Sequence, residues 1–340
     1  MNAHREIHRS PFAPFLLAGL ALAVVGPAAA GNEDRPNIVV VLADDLGYGD
    51  LACYGADALH TPRIDEFAAN GLRLTNCYAA HPNCSPSRAG MMTGRTPFRV
   101  GIFNWIPMYS PMHVKRSEVT IATLLRNAGY DTCHVGKWHL NGDFNLPSQP
   151  QPSDHGFNHW FSTQNNALPN HRNPDNFVRN GQAVGQLTGY SAELVTREAV
   201  HWLQHSRDTT KPFFLFACYH EPHEPIASSK TYTDLYPSDD PSLSAHHGNI
   251  SQLDAGFGAL LDGLDKLKLR QNTFIFFTSD NGPAITGIPT RFSRPVARQE
   301  GDRLRRRHPS ARNCTVARDS QTRDSVVPGC QRSRRSADPV

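Results

Sequence analysis

The apolar positions of this chain follow two kinds of pattern. Ile38-Val39-Val40-Val41-Leu42 and Phe213 to Tyr219 are unbroken apolar runs, and Phe274-Ile275-Phe276-Phe277 is a shorter one. Strands buried on both faces look like this, as the central strands of a parallel sheet do. Tyr130 to Val135 reads as a further strand, and Leu72 to Tyr78 alternates as a strand leading into the segment around Cys84. Helical spacing fills the intervals. Thr61 caps a helix with Pro62 at its first position, Ile64, Phe67 and Ala68 on one face and Gly71 at its stop. Ser117 to Asn127 (Ser117 as cap, Gly129 as stop), Gly189 to Ser206 and His247 to Lys268 are further helices. The last carries a stripe of Leu253, Phe257, Leu260, Leu261 and Leu264. Alternating strands and helices predict an α/β fold, a mostly parallel central sheet with helices on both faces. Residues 141–188, rich in Pro, Asn, Gln and Gly, read as an irregular loop over the strand ends, suited to substrate recognition.

Each buried strand runs straight into polar chemistry. The first ends in Asp44-Asp45, the last in Ser279-Asp280-Asn281-Gly282, and Phe213–Tyr219 in His220-Glu221-Pro222-His223. Tyr130–Val135 is followed by Gly136-Lys137-Trp138-His139. Ligands in open α/β sheets gather at the carboxyl ends of strands. Adjacent carboxylates there repel unless a cation lies between them, and oxygen-only donors favour Ca²⁺ or Mg²⁺. Asp44, Asp45, Asp280 and Asn281 would nearly fill a Ca²⁺ shell of about 6–8 oxygens. Lys137 and His139, two apart in extended chain, would point the same way and could bind one anion and move one proton. Cys84-Ser85-Pro86-Ser87-Arg88 reads as a thiol followed by a helix start, with Pro86 at the first helical position and Ser85 or Ser87 as cap. A helix N-terminus with Arg88 projecting back toward Cys84 makes a site for an anion.

Cys84-x-Pro86-Ser87-Arg88 with Thr93-Gly94-Arg95 beyond it resembles the signature of type I sulfatases, members of the alkaline phosphatase-like superfamily. The resemblance extends from about Pro36 to about Gly287 and takes in Asp44-Asp45, Gly136-Lys137-Trp138-His139 and Asp280-Asn281-Gly282 in the family's order. It implies that Cys84 is oxidised to formylglycine by a maturation enzyme, and that Asp44, Asp45, Asp280, Asn281 and the modified Cys84 itself bind a divalent cation, usually Ca²⁺ and less often Mg²⁺. It implies that the hydrated aldehyde attacks sulfur. The cation, Arg88, Lys137 and His223 would stabilise the sulfuryl oxygens, and His139 would assist release of sulfate. It points to His223 as the sulfate-contacting histidine and leaves the part of His220 open. The implied substrate is a sulfated small molecule or glycan.

The remaining features bound this reading. Arg5 and Arg9, the apolar run Leu16 to Val25 and Ala28-Ala29-Ala30 predict a cleaved export signal over 1–30, hence a periplasmic or extracellular protein with no stable membrane span. The chain has seven Cys, an odd number, with no zinc-type spacing. A formal net charge of +3 over 340 residues gives no case for nucleic acid. The catalytic domain is assigned to 35–288. Residues 289–340 are Arg-rich and aperiodic, and the small C-terminal subdomain and further Lys of the family are missing there. Back-translated and shifted by one base, 291–312 can read as a family-like continuation, so a frameshift near residue 288 is expected. A phosphoesterase of the same superfold would keep the carboxylates but use Ser or Thr as nucleophile, a polyanion binder would rest on the tail alone, and a third alternative is an inactive truncated sulfatase.

Overall fold

The computed structural model describes residues 35–283 and the backbone of 315–318. In chain order the strands are β1 (Asn37–Asp44), β2 (Leu72–Leu74), β3 (Asp131–Lys137), β4 (His159–Thr163), β5 (Val178–Arg179), β6 (Gln182–Ala183), β7 (Phe213–Pro222), β8 (Thr273–Ser279) and β9 (Thr315–Arg318). They form one sheet in the order β2-β9-β8-β1-β7-β3-β4-β5-β6. The five strands β8-β1-β7-β3-β4 are mutually parallel. The edges, β9-β2 on one side and β5-β6 on the other, are antiparallel.

The unbroken apolar runs are apolar because both faces of the sheet are covered. Val39, Val41 and Ala43 of β1 join Phe213, Leu215, Ala217 and Tyr219 of β7 in one core. Helices α1 (Pro62–Ala69), α5 (Ser191–His201) and α7 (Pro241–Lys266) cover that core. The alternate residues Leu42, Phe214, Phe216 and Cys218 enter a second core, covered by α2 (Cys84–Thr93), α3 (Pro97–Val100) and α4 (Ile121–Asn127). A short α6 (Lys230–Thr233) packs near α7. The α/β class and the helices on both faces are as the sequence predicts.

Several local expectations are corrected. The strand expected over Leu72 to Tyr78 is only Leu72–Leu74, paired antiparallel with β9 at the sheet edge; β9 is in turn antiparallel to β8, so this short strand still runs in the direction of the parallel ones. Helix α2 begins at Cys84 itself, with Asn83 as N-cap, and neither Ser85 nor Ser87 caps it. Ser85 Oγ instead accepts from Ile106 N at 3.0 Å, and Ser87 Oγ donates to the Asp280 carbonyl. The cap of α4 is Thr120, whose side chain accepts from Thr123 N, rather than Ser117. The loop expected over 141–188 contains β4, a parallel partner of β3, and the β5–β6 hairpin. Residues 1–30, the frameshift position near 288 and all of 289–340 except 315–318 lie outside the described residues. No helix among the described residues is long and apolar enough to cross a membrane.

Candidate active site

Parallel strands place their carboxyl ends along one edge, and this edge collects the polar residues that follow each apolar run. Asp44 is the last residue of β1, Lys137 the last of β3, and Asp280 follows Ser279 at the end of β8. The β1–β7 register shifts between Leu42 and Asp44, where the strands part to admit the cluster. Asp280 N donates to the Ala43 carbonyl at 3.1 Å, and Asp45 N donates to Asp280 Oδ1 at 3.2 Å. Asp45 is left-handed at φ +62°, a conformation costly for a non-glycine residue and concentrated at functional sites. Gly136 has φ +96°, and a Cβ there would lie 1.7 Å from the Cys218 carbonyl oxygen, so only glycine lets β3 deliver Lys137 against β7.

The four expected metal donors and Cys84 converge. Cys84 Sγ lies 3.9 Å from Asp45 Oδ1. One potential ligand atom from each of Asp44, Cys84 and Asp280 falls within 4.8 Å of the others, and the same holds for Asp45, Cys84 and His223. Asn281 Nδ2 donates to Asp45 Oδ1, while Asn281 Oδ1 is buried with no hydrogen-bond partner among the described residues. An orphaned amide oxygen beside three carboxylates matches what a hard cation requires of its shell.

Electrostatics point the same way. Burial, reinforced by Asp44, pushes the carboxyl groups of Asp45 and Asp280 above the usual range. Burial acts on Asp44 too, but Lys137, His223 and Arg88 hold it well below that range. Lys137 Nζ is 2.6 Å from Asp44 Oδ2 and 3.4 Å from Asn166 Oδ1, on a side chain that is fully buried. Burial, with the three carboxylates, pushes the Cys84 thiol well above its ordinary value, so an unmodified Cys84 is a protonated, weak nucleophile.

Arg88 is placed differently from expectation. Its Nε donates to Asp280 Oδ2 at 2.8 Å, Nη2 lies 3.3 Å from Asp44 Oδ1, and Nη1 donates to the Lys137 carbonyl at 2.7 Å. The buried guanidinium holds the carboxylates together rather than standing open to an anion. Lys137 and His139 do not share a face of one extended strand, because β3 ends at Lys137 and His139 is left-handed at φ +58°. His139 Nε2 lies 3.0 Å from the Ile106 carbonyl, which can only accept, so the proton is on Nε2. That leaves His139 Nδ1 as a buried acceptor with no partner. Burial keeps this imidazole neutral.

The two strand-end histidines differ in position. His223 Nε2 is 3.5 Å from Asp45 Oδ2 on a partly exposed ring. His220 is buried behind it, with Nε2 2.7 Å from Thr163 Oγ1. Sequence reasoning missed Asn166 beside Lys137, because it lies in a segment read only as loop. It also missed Ser279, whose Oγ accepts from Leu46 N at 3.0 Å and fixes the turn after Asp45.

Comparisons with known proteins agree with this geometry. The sequence model of the family described as Sulfatase matches residues 36–308. The N-acetylgalactosamine-6-sulfatase of Mus musculus is 35% identical over 296 residues, 79% of this chain and 55% of that protein. The N-acetylgalactosamine-6-O-sulfatase of Bacteroides thetaiotaomicron is 31% identical over 314 residues, 75% of this chain and 60% of that protein. Among solved structures, Ps i-CgsB matches with a TM-score of 0.71 at 28% identity, covering 84% of this chain and 66% of that one. The phosphonate monoester hydrolase of Agrobacterium radiobacter shares the fold, with a TM-score of 0.57 at 17% identity. The chain thus spans little more than half the length of the sulfatases it resembles in sequence. With the match running from the strand that delivers Asp44 through the turn that delivers Asn281, the chain belongs to the sulfatase family.

Proposed function

We propose that this chain is the catalytic part of an exported hydrolase of sulfate esters, with Cys84 carried as formylglycine by a maturation enzyme and Ca²⁺, rather than Mg²⁺, held by Asp44, Asp45, Asp280 and Asn281. The observation that carries the proposal is Cys84 Sγ at 3.9 Å from Asp45 Oδ1, buried among three carboxylates and the unpartnered Asn281 Oδ1. Formylglycine, as its hydrate, would supply one hydroxyl to attack sulfur and a second to expel sulfate, an exit that plain Cys or Ser lacks. The cation, when bound, would polarise a sulfuryl oxygen and acidify a neighbouring hydroxyl.

The chain's own side chains fill the other roles. Lys137, against Asp44, and His223, against Asp45, would offer positive charge and N–H donors to the remaining sulfuryl oxygens. His139 Nδ1, an acceptor without a partner, can take a proton from a hydroxyl on residue 84. Arg88 fixes the spacing of Asp44 and Asp280 from behind. Names among the relatives support a sulfated sugar as substrate, since both N-acetylgalactosamine-6-sulfatases and a Ps i-CgsB complex with a neocarrahexaose are among them.

Mass spectrometry of the tryptic peptide containing Cys84 tests the modification. The expected result is a residue lighter than Cys by the difference between CH2SH and CHO. Cys84→Ala should lower sulfate-ester turnover by at least about 1000-fold with an unchanged melting temperature. An intact thiol together with undiminished turnover in Cys84→Ala would overturn the proposal. Preferred hydrolysis of phosphate monoesters would move the chain to phosphoesterase chemistry.

A further inference from the structure

Six of the eleven exposed large apolar side chains among the described residues fall between Tyr78 and Tyr109, around the helix that starts at Cys84. Phe98 is 62% exposed, Phe103 58%, Trp105 47% and Tyr109 77%. Such a concentration on one rim marks a contact surface, whereas scattered apolar residues do not. Phe98 and Phe103 have ring centroids 6.2 Å apart, and the His81 ring meets Phe98 edge-on at 5.9 Å. The rim is anchored to the site on both sides of Cys84. Asn83 Nδ2 donates to Asn104 Oδ1 at 2.8 Å, and Ile106 N donates to Ser85 Oγ at 3.0 Å. Trp105 therefore sits between two residues pinned to the immediate neighbours of Cys84, and its own N–H donates to Asn104 Oδ1 at 2.9 Å.

The composition of the rim defines its occupant. Arg99 is exposed next to Phe98, but the segment that carries Phe103 and Trp105, from Ile102 to Val114, has no Asp, Glu, Lys or Arg. An uncharged body fits beside an anion-binding pocket of that kind, and a second sulfate does not. Flat aromatic faces pack against the C–H face of a pyranose ring, and the Asn83–Asn104 pair leaves Asn83 Oδ1 and Asn104 Nδ2 without partners among the described residues, available for ring hydroxyls. An open apolar surface alone would serve any nonpolar group; aromatic faces interleaved with amides suit a sugar.

We propose that Phe103 and Trp105 form a stacking platform for an uncharged sugar ring adjoining the sulfated residue, and so determine specificity for sulfated oligosaccharides over small aryl sulfates. The proposal rests on the sulfatase reading of the site, and it is tested with a readout that does not need turnover. The chain has four Trp; Trp138, Trp160 and Trp202 are buried at 1%, 3% and 1%, so exposure-sensitive fluorescence reports on Trp105.

The full chain carrying Cys84→Ala is titrated with a 6-sulfated galactose disaccharide and with its unsulfated parent. Saturable shifts of the emission are expected for both, absent in Trp105→Ala and weakened about 10-fold by Phe103→Ala. In the chain with Cys84 intact, Trp105→Ala should raise KM for the sulfated disaccharide about 10-fold and leave kcat/KM for phenyl sulfate within about 2-fold. Unchanged emission with both disaccharides, or equal losses on disaccharide and phenyl sulfate, would overturn the platform. Absence of any sulfate-ester turnover would instead defeat the sulfatase reading, while the titration still decides the platform.

Discussion

Two clusters around buried carboxyl groups, one with a single carboxylate and one with three, use arginine in opposite ways. At the amino end of β4, Glu198 is held by Arg179 through a fork, Nε at 2.7 Å and Nη2 at 2.6 Å, with His159 Nε2 at 3.0 Å. Charges balance there. Burial works against the ionised form, but the Arg179 fork brings Glu198 down to about 2. A cleft of about 420 Å³ beside it is lined by the same three side chains together with Arg197, His201 and Ser206. At the carboxyl ends of the strands, Asp44, Asp45 and Asp280 share only Arg88 and Lys137 as fixed cations among the described residues. Burial and mutual repulsion push Asp45 and Asp280 up there. A balanced cluster is a structural cross-link. One short of positive charge is built to receive it from elsewhere, and unresolved repulsion marks the functional end of the sheet.

Removing the arginine from each cluster should separate the two roles most sharply. Arg88→Met leaves Asp44 and Asp280 buried without their shared partner and should cost about 3–5 kcal/mol. Arg179 is 43% exposed at its side chain, and water can replace it, so Arg179→Met should cost only about 1–3 kcal/mol. Urea denaturation of the two variants measures both. Equal losses would mean that the strand-end cluster is an ordinary ion-pair network.

Calcium should widen the gap from the other side. A cation bound only by the folded chain adds about 2.7 kcal/mol at 100 times its Kd. The melting temperature should therefore rise with Ca²⁺ and fall on chelation in the wild-type chain and in Glu198→Gln. Asp280→Asn should lose that response, because it removes one donor and the charge that calls for the ion. A calcium response that survives Asp280→Asn would place the ion elsewhere.

The contrast between the clusters was only half legible in the sequence. Asp44, Asp45, Lys137, Asp280 and Asn281 could be placed at one edge because each closes or follows an apolar run, and parallel strands bring their ends together. The role of Arg88 was not legible: that it turns to Asp280, 192 residues away, depends on register, not on local pattern. Strand β4 was hidden because His159-Trp160-Phe161-Ser162-Thr163 is short and mixed in polarity, within a stretch dominated by loop formers. Arg179 went unnoticed for the same reason, since it sits on the two-residue β5 that follows, and Glu198, on the expected helix, had no visible partner without it. The left-handed Asp45 and His139 carry no compositional signal at all.

The smallest effect concerns the balanced cluster alone. Glu198 is shifted from 4.5 down to about 2 on folding. An acid with a depressed folded value contributes stability that is present above its unfolded value and is lost as pH falls through the folded one. Wild type should therefore be more stable than Glu198→Gln from neutral pH down to about 4.5, and the difference should shrink steadily between about 4.5 and about 2. Thermal melts across that range, with calcium held constant, measure it. Asp45 and Asp280 of the strand-end cluster contribute the reverse slope, because they are raised and their protonation relieves repulsion when no cation is bound, whereas the depressed Asp44 contributes in the same sense as Glu198. A Glu198→Gln difference that stayed constant down to pH 2 would show that Arg179 and His159 hold the side chain by geometry rather than by charge, and the two clusters would no longer differ in kind.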